Sequence, residues 1–131
     1  MKGLVADIED LTEENADFRR VLYTGKHMQL VLMALQPGEE IGEETHATTD
    51  QFIRVENGKG TVWIDGKSSK VEGDDAIIVP AGARHNVVNT GNEALLLYTL
   101  YAPPEHRDGT VHATAAAAAG DSEHFDGKTT E

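Results

Sequence analysis

Six histidines and 23 carboxylates, against a complete absence of cysteine, set the chemistry open to this 131-residue chain. Thiolate nucleophiles, thiolate metal ligands and disulfides are excluded, so a bound metal must be held by His, carboxylate, amide or water. Ser68, Ser69 and Ser122 are the only serines, none in a nucleophile-elbow context, and no glycine-rich loop precedes a helix to cradle phosphate. Histidine and carboxylate chemistry is what remains. Its best-placed instance is His85, which closes the run Pro80-Ala81-Gly82-Ala83-Arg84-His85, with Gly73 upstream and Asn89 downstream. Pro80 and Gly82 suit a tight turn, and a strand leaving that turn puts His85 on one face with Val87 and Asn89. Arg84 is then expected on the opposite face, in a structural ion pair.

This run resembles the second cupin motif, G(X)5PXG(X)2H(X)3N. It meets every position except the leading glycine, which sits one residue early at Gly73 and leaves Asp74 five residues before the proline. Upstream, Gly38, Glu44-Thr45-His46, Gln51 and Gly58 occupy the spacing of the first cupin motif, G(X)5HXH(X)3-4E(X)6G. Two residue types differ: Glu44 stands in place of the first histidine, and Gln51 in place of the glutamate. The resemblance implies an all-β fold, the double-stranded β-helix or jelly-roll cupin barrel. It also implies one divalent transition metal (Mn, Fe, Ni or Zn) held by Glu44, His46, Gln51 and His85. That set carries the same single negative charge as three histidines and a glutamate. Residues two apart on a strand share a face, so Glu44 and His46 point inward together, and a turn through Ala47 to Asp50 must reset the parity before Gln51, Ile53 and Val55. A shorter motif spacing would use Asp50 instead, seven residues before Gly58. Gln51 is preferred, and the choice stays open here.

The same resemblance implies a small-molecule enzyme of the isomerase, lyase or dioxygenase type, and small single-domain cupins are often compared with mannose-6-phosphate isomerase. A phosphosugar enzyme should place a cation in the pocket, for which Lys26, Arg84 and Arg107 are the candidates. Tyr101 and His106 are the candidate catalytic acid or base residues. The alternative is a non-catalytic cupin module that binds or senses a small ligand.

Seven segments rich in β-branched, aromatic and aliphatic residues must position these groups: Phe18 to Thr24, His27 to Leu35, Gln51 to Glu56, Thr61 to Asp65, Ala76 to Val79, His85 to Asn89 and Ala94 to Tyr101. Asn57-Gly58 and Asp65-Gly66 mark tight turns between neighbouring strands. The barrel should occupy residues 1–102, with both motifs inside 38–89. Pro103-Pro104 then opens a polar tail over 103–131 that is irregular or, at Ala115 to Ala119, briefly helical up to Gly120. The tail is either frayed or a lid that brings His106, Asp108, His112 and His124 over a polar pocket.

A net charge of −12 removes the electrostatic driving force for nucleic-acid and anionic-membrane binding, so neither is expected as a partner. Acids at Asp7, Glu9 and Asp10 stand where a signal peptide needs an apolar run, and a cytoplasmic protein is expected. Leu95, Leu96, Leu97, Tyr98 and Leu100 are apolar on both faces of one strand, which predicts burial between layers or in a homodimer contact. His27 is expected to face solvent.

Overall fold

Apolar residues recurring at every second position build two antiparallel sheets that face each other across one core. The computed structural model describes every residue, Met1–Glu131. In chain order the elements are α1 (Ile8–Glu14), β1 (Arg19–Thr24), β2 (Gln29–Leu35), β3 (Glu44–Thr45), β4 (Asp50–Asn57), β5 (Lys59–Ile64), β6 (Lys67–Glu72), β7 (Ala76–Val79), β8 (Arg84–Val88), β9 (Leu95–Ala102), β10 (Val111–His112) and α2 (Ala115–Ala119). One sheet has the order β10-β1-β2-β9-β4-β7 and the other β3-β8-β5-β6. This is the jelly-roll barrel. Its core is the inward row of each strand: Val31, Met33 and Leu35 on β2, Ile53 and Val55 on β4, Val87 on β8, and Leu95 and Leu97 on β9, each fully buried.

The seven expected strands are all present, with ends that move by one or two residues. Four elements carry too little periodic signal to be anticipated. β6 is polar because it is the outer edge of its sheet and buries only Val71. β3 and β10 have two residues each. α1 is short and starts from Asp7, whose carboxylate accepts the Asp10 N–H, with Glu9 and Asp10 in the first turn. The Asp65-Gly66 pair closes a true two-residue hairpin between β5 and β6. Asn57-Gly58 does not: β4 and β5 lie in different sheets, and Gly58, at φ +94°, carries the chain from one to the other. The displaced motif glycine is resolved by Asp74 itself, which adopts the left-handed conformation (φ +76°) and donates its N–H to Val55 O at 2.8 Å.

The tail is folded onto the barrel. β10 pairs with β1, Phe125 N–H donates to Glu105 O at 3.0 Å, and Thr130 N–H donates to Thr24 O at 2.9 Å. The alanine run is helical from a Thr114 cap to Gly120, and Ala115 and Ala118 pack against the core cluster. No helix is long and apolar enough to cross a membrane.

Candidate metal centre and adjoining cleft

Glu44 on β3 stands opposite His85 on β8 in the sheet register, and Gln51 on β4 stands opposite Tyr101 on β9. The two sheets thereby bring the sequence-predicted residues to one end of the barrel. Glu44 Oε2 lies 3.0 Å from His46 Nε2, Gln51 Oε1 lies 3.1 Å from His85 Nε2, and the two imidazole centroids are 5.2 Å apart. Gln51 and His85 are buried, and Ile53 and Val55 follow Gln51 inward along β4. Asp50 points the other way: it is exposed, and its Oδ1 accepts the Ala81 N–H at 2.8 Å, capping the turn that leads to His85. Arg84 also points outward, paired with Glu43, and His27 is exposed.

Hydrogen bonding places a proton on Nδ1 of His85. His85 Nδ1 lies 3.0 Å from Ala83 O, an acceptor only, so this nitrogen carries a proton, and in the neutral ring Nε2 is then the free lone pair. Thr99 Oγ1 donates to Phe52 O at 2.9 Å and therefore accepts from Gln51 Nε2 at 3.0 Å, which turns Gln51 Oε1 toward His85. In the neutral ring a lone pair and a carbonyl oxygen thus face each other at 3.1 Å. His46 shares the anchoring through Nδ1, 2.9 Å from Glu105 Oε1, but its Nε2 is directed at a carboxylate, Glu44.

Two acceptors in contact repel unless a cation lies between them. Atoms held at right angles around an ion with bonds of ~2.1 Å are ~3.0 Å apart, close to the His85–Gln51 separation; Glu44 and His46 are equally close, as a hydrogen-bonded ion pair. No three His, Asp or Glu side chains are already gathered into a cation-ready cluster; the donors here come as two pairs, and the amide oxygen of Gln51 is the fourth. The residues fit a divalent ion in donor type and, within each pair, in spacing, while the two pairs are not drawn together into one cluster. In the metal-free chain His46 is instead a cation shared by carboxylates: hydrogen bonds to Glu105 and then to Glu44 raise its pKa to about 9, against the smaller opposing effect of burial. Glu105 is held below the usual carboxylate range by that same bond. Glu44 is also lowered, because His46 outweighs the burial that would raise it.

Beside this centre lies a cleft of about 700 Å³, walled by Arg19, Glu44, Glu105, His106 and Glu123 and roofed by α2 through Ala115, Ala118 and Ala119. Of the four tail residues named from sequence, His106 and His124 line the cleft, Asp108 accepts the Thr130 hydroxyl at 2.9 Å, and His112 is buried against Arg19 and Asp121. His106 Nδ1 bonds Glu123 Oε1 at 2.6 Å, and Glu123 Oε2 accepts the Arg107 N–H at 2.7 Å. Burial would raise the Glu123 carboxyl, but these two bonds bring it down to about 2. Tyr101 is buried, with its ring edge-on to His46 and His106 at 5.9 and 5.2 Å. Burial pushes its hydroxyl well above the usual value, so the phenol stays protonated.

Glu105, Glu123, Arg19 and Gln29 escape a sequence reading. Gln29 is fully buried, and its side chain clamps the segment after β9: Nε2 donates to His106 O at 2.7 Å, and Oε1 accepts the His106 and Glu105 N–H groups at 2.9 and 3.2 Å. No motif spacing links residues 29, 105 and 123; their only sequence signal is polarity at inward-facing or tail positions.

A jelly-roll with paired His and acyl-oxygen donors at one barrel end defines the class. The cupin-domain family model matches residues 31–101, and the chain belongs to the cupin family. It is 51% identical over 124 residues to an uncharacterized protein, YrkC, of Bacillus subtilis, covering 89% of this chain and 66% of that one. It is 29% identical over 121 residues to the polyketide synthase CurC of Streptomyces cyaneus, covering 88% and 77%. Among solved structures, BH2720 from Bacillus halodurans superposes with a TM-score of 0.90 at 48% identity, covering 92% of this chain and 96% of that one. The chain spans about two thirds of the length of the first curated relatives it matches.

Proposed function

We propose that this cupin is a metal-dependent enzyme acting on a small polar molecule in the cleft under α2. Glu44, His46, Gln51 and His85 would hold one divalent transition metal. The observation that carries this reading is the pair of anchored imidazoles, each with Nδ1 on a fixed acceptor and Nε2 aimed at an oxygen 3.0 or 3.1 Å away. Such an ion supplies a Lewis-acidic centre that polarises a carbonyl or enolate oxygen.

The chain's own residues supply the rest. Glu123 anchors His106 through Nδ1 at 2.6 Å, and the ring lines the cleft wall, where it takes the role of acid or base. Tyr101 keeps its proton and packs both imidazoles in place. This oriented imidazole favours catalysis over simple ligand sensing, and similarity to a protein named a polyketide synthase supports an enzymatic role. A phosphosugar is disfavoured, since Arg84 points away and carboxylates dominate the cleft. We also propose a homodimer through the outer face of β9, and a cytoplasmic setting consistent with the lack of cysteine.

Elemental analysis tests the metal. About one transition metal per chain is expected, lost in His46→Ala and in His85→Ala while the barrel still folds. Less than a tenth per chain after reconstitution with Mn, Fe, Ni and Zn overturns the reading.

A further inference from the structure

Gln29 opens β2 on the inward row that continues through Val31, Met33 and Leu35, and it is the polar member of that row, fully buried. A buried amide is costly unless its groups are paired. Gln29 pairs all of them. Nε2 donates to Thr24 Oγ1 at 2.9 Å and to His106 O at 2.7 Å, while Oε1 accepts the His106 and Glu105 N–H groups at 2.9 and 3.2 Å. Two donated and two accepted bonds use the whole capacity of the amide, and the N–H groups on one side against a carbonyl on the other fix which end is oxygen. A methionine would fill about the same space and leave two N–H groups and a carbonyl without partners.

The segment gripped in this way is the first after β9 that has N–H groups to offer. Pro103 and Pro104 have none, so Glu105 and His106 supply the first two, and both go to one oxygen. β2 and β9 pair backbone to backbone as far as Gln29 and Tyr101. Beyond that point the Gln29 side chain does what a neighbouring strand would do. The two residues it holds serve different rings. Glu105 Oε1 meets Nδ1 of His46 at 2.9 Å, and His106 lines the cleft with its own Nδ1 on Glu123 at 2.6 Å. One amide thereby links the barrel wall, through hydrogen bonds, to both imidazoles.

We propose that Gln29 is the positioning residue of this site: by holding the consecutive residues Glu105 and His106, it fixes the imidazoles of His46 and His106 relative to each other. Its hydrogen bonds to this segment go to peptide groups, so it acts through Glu105 and His106 rather than on the substrate. The proposal rests on the reading of His46 as a metal ligand and His106 as an acid or base, and it adds the group that sets their spacing.

The isotope-labelled full-length chain is followed by NMR, first without metal and then with zinc titrated in against a competing chelator. In the parent, the Glu105 and His106 amides should exchange with solvent as slowly as those inside β2 and β9. Gln29→Met should shift or broaden the ring signals of both His46 and His106, leave those of His85 in place, and weaken zinc about tenfold. Gln29→Glu serves as a second variant should the first not fold: it sets a carboxylate oxygen against His106 O and should move the same two rings. Val31→Ala, two residues along the same buried row, is the control for a merely structural effect; it should lower the urea midpoint and leave both rings and the zinc affinity unchanged. The positioning role is overturned if the two amides exchange as fast as that of exposed Ser122, if the Gln29 variants leave either ring as in the parent, or if Val31→Ala moves both rings as far. Ring shifts in the Gln29 variants of a chain that never loads zinc would support the positioning role while refuting the metal reading. Zinc loading with unmoved rings would do the reverse.

Discussion

Glu105 accepts a hydrogen bond from Nδ1 of His46 at 2.9 Å, so the polar segment after the last long strand orients a histidine at the heart of the barrel. Carboxylates in this position fix the tautomer and raise the basicity of a ligating imidazole. Gln29 holds the Glu105 backbone in place from β2. Glu105→Gln should therefore weaken metal binding about 10- to 100-fold with the fold intact. Uptake must also displace the His46 proton, so affinity should rise with pH toward about 9, the value that Glu105 and Glu44 impose on the metal-free ring. Calorimetric titration in two buffers of different ionisation enthalpy counts the protons released; a pH-independent affinity would contradict the assignment.

Charge at the site should come from Glu44 alone. Glu44→Gln removes it and should cost several kcal/mol of metal affinity, on the order expected for losing a carboxylate in a low-dielectric site. Asp50→Asn should cost far less, since Asp50 caps the turn at Ala81. Gln51→Glu adds a second carboxylate, so metal retention should rise while turnover falls as the ion becomes a weaker Lewis acid. Loss of binding in Asp50→Asn with retention in Glu44→Gln would invert the ligand assignment.

Acid should loosen the tail through Glu123. Its folded value of about 2 lies below the ordinary 4.5, so its contribution to stability is present above pH ~4.5 and is lost as pH falls through about 2. Glu123→Gln should be less stable than the parent by about 1–3 kcal/mol at pH 6, with the gap closing near pH 2. Urea midpoints across that range measure it, and a gap that is constant with pH would refute it.

Two glycines with similar backbone angles should respond very differently to alanine. A Cβ at Gly58 (φ +94°) would lie 2.5 Å from Ala94 O and 2.9 Å from Leu95 Cα, both immobile backbone, whereas a Cβ at Gly66 (φ +81°) meets nothing within 4 Å. Gly66→Ala should cost about 1 kcal/mol for the left-handed conformation alone. Gly58→Ala should cost at least about 2 kcal/mol more, because β9 must move. Equal melting temperatures for the two variants would disprove the difference.

Light scattering should give a dimer at micromolar concentration. α1 packs on the outer face of the larger sheet against β2, β4 and β9, but Leu4, Tyr23, Met28, Leu30 and Leu100 still line an apolar depression beside it. Met28→Glu combined with Leu100→Arg should give a monomer. A monomeric parent would mean that α1 is all the cover this face receives.

Period-two alternation along β2, β4, β8 and β9 and the PxGxxHxxxN run were enough to specify the barrel strands, Ile53 and Val55 on one inward row, and His85 on the buried face, because each depends on residues only a few positions apart. Tertiary structure decided what depends on distant neighbours. It turned Asp50 out to the Ala81 N–H and Gln51 in toward His85, it made Asp74 adopt the turn conformation of a glycine, and it folded a polar tail over the barrel. There, Gln29, Glu105, His106 and Glu123 meet across as many as 94 positions of chain, as the numbering shows. Arg19 illustrates the reason most sharply. A charged residue at the start of a strand looks solvent-facing until the tail brings His112 to it and seals it into the wall of the cleft. Burial and hydrogen-bond partnership are properties of the packed chain, and no local window of sequence contains the groups that create them.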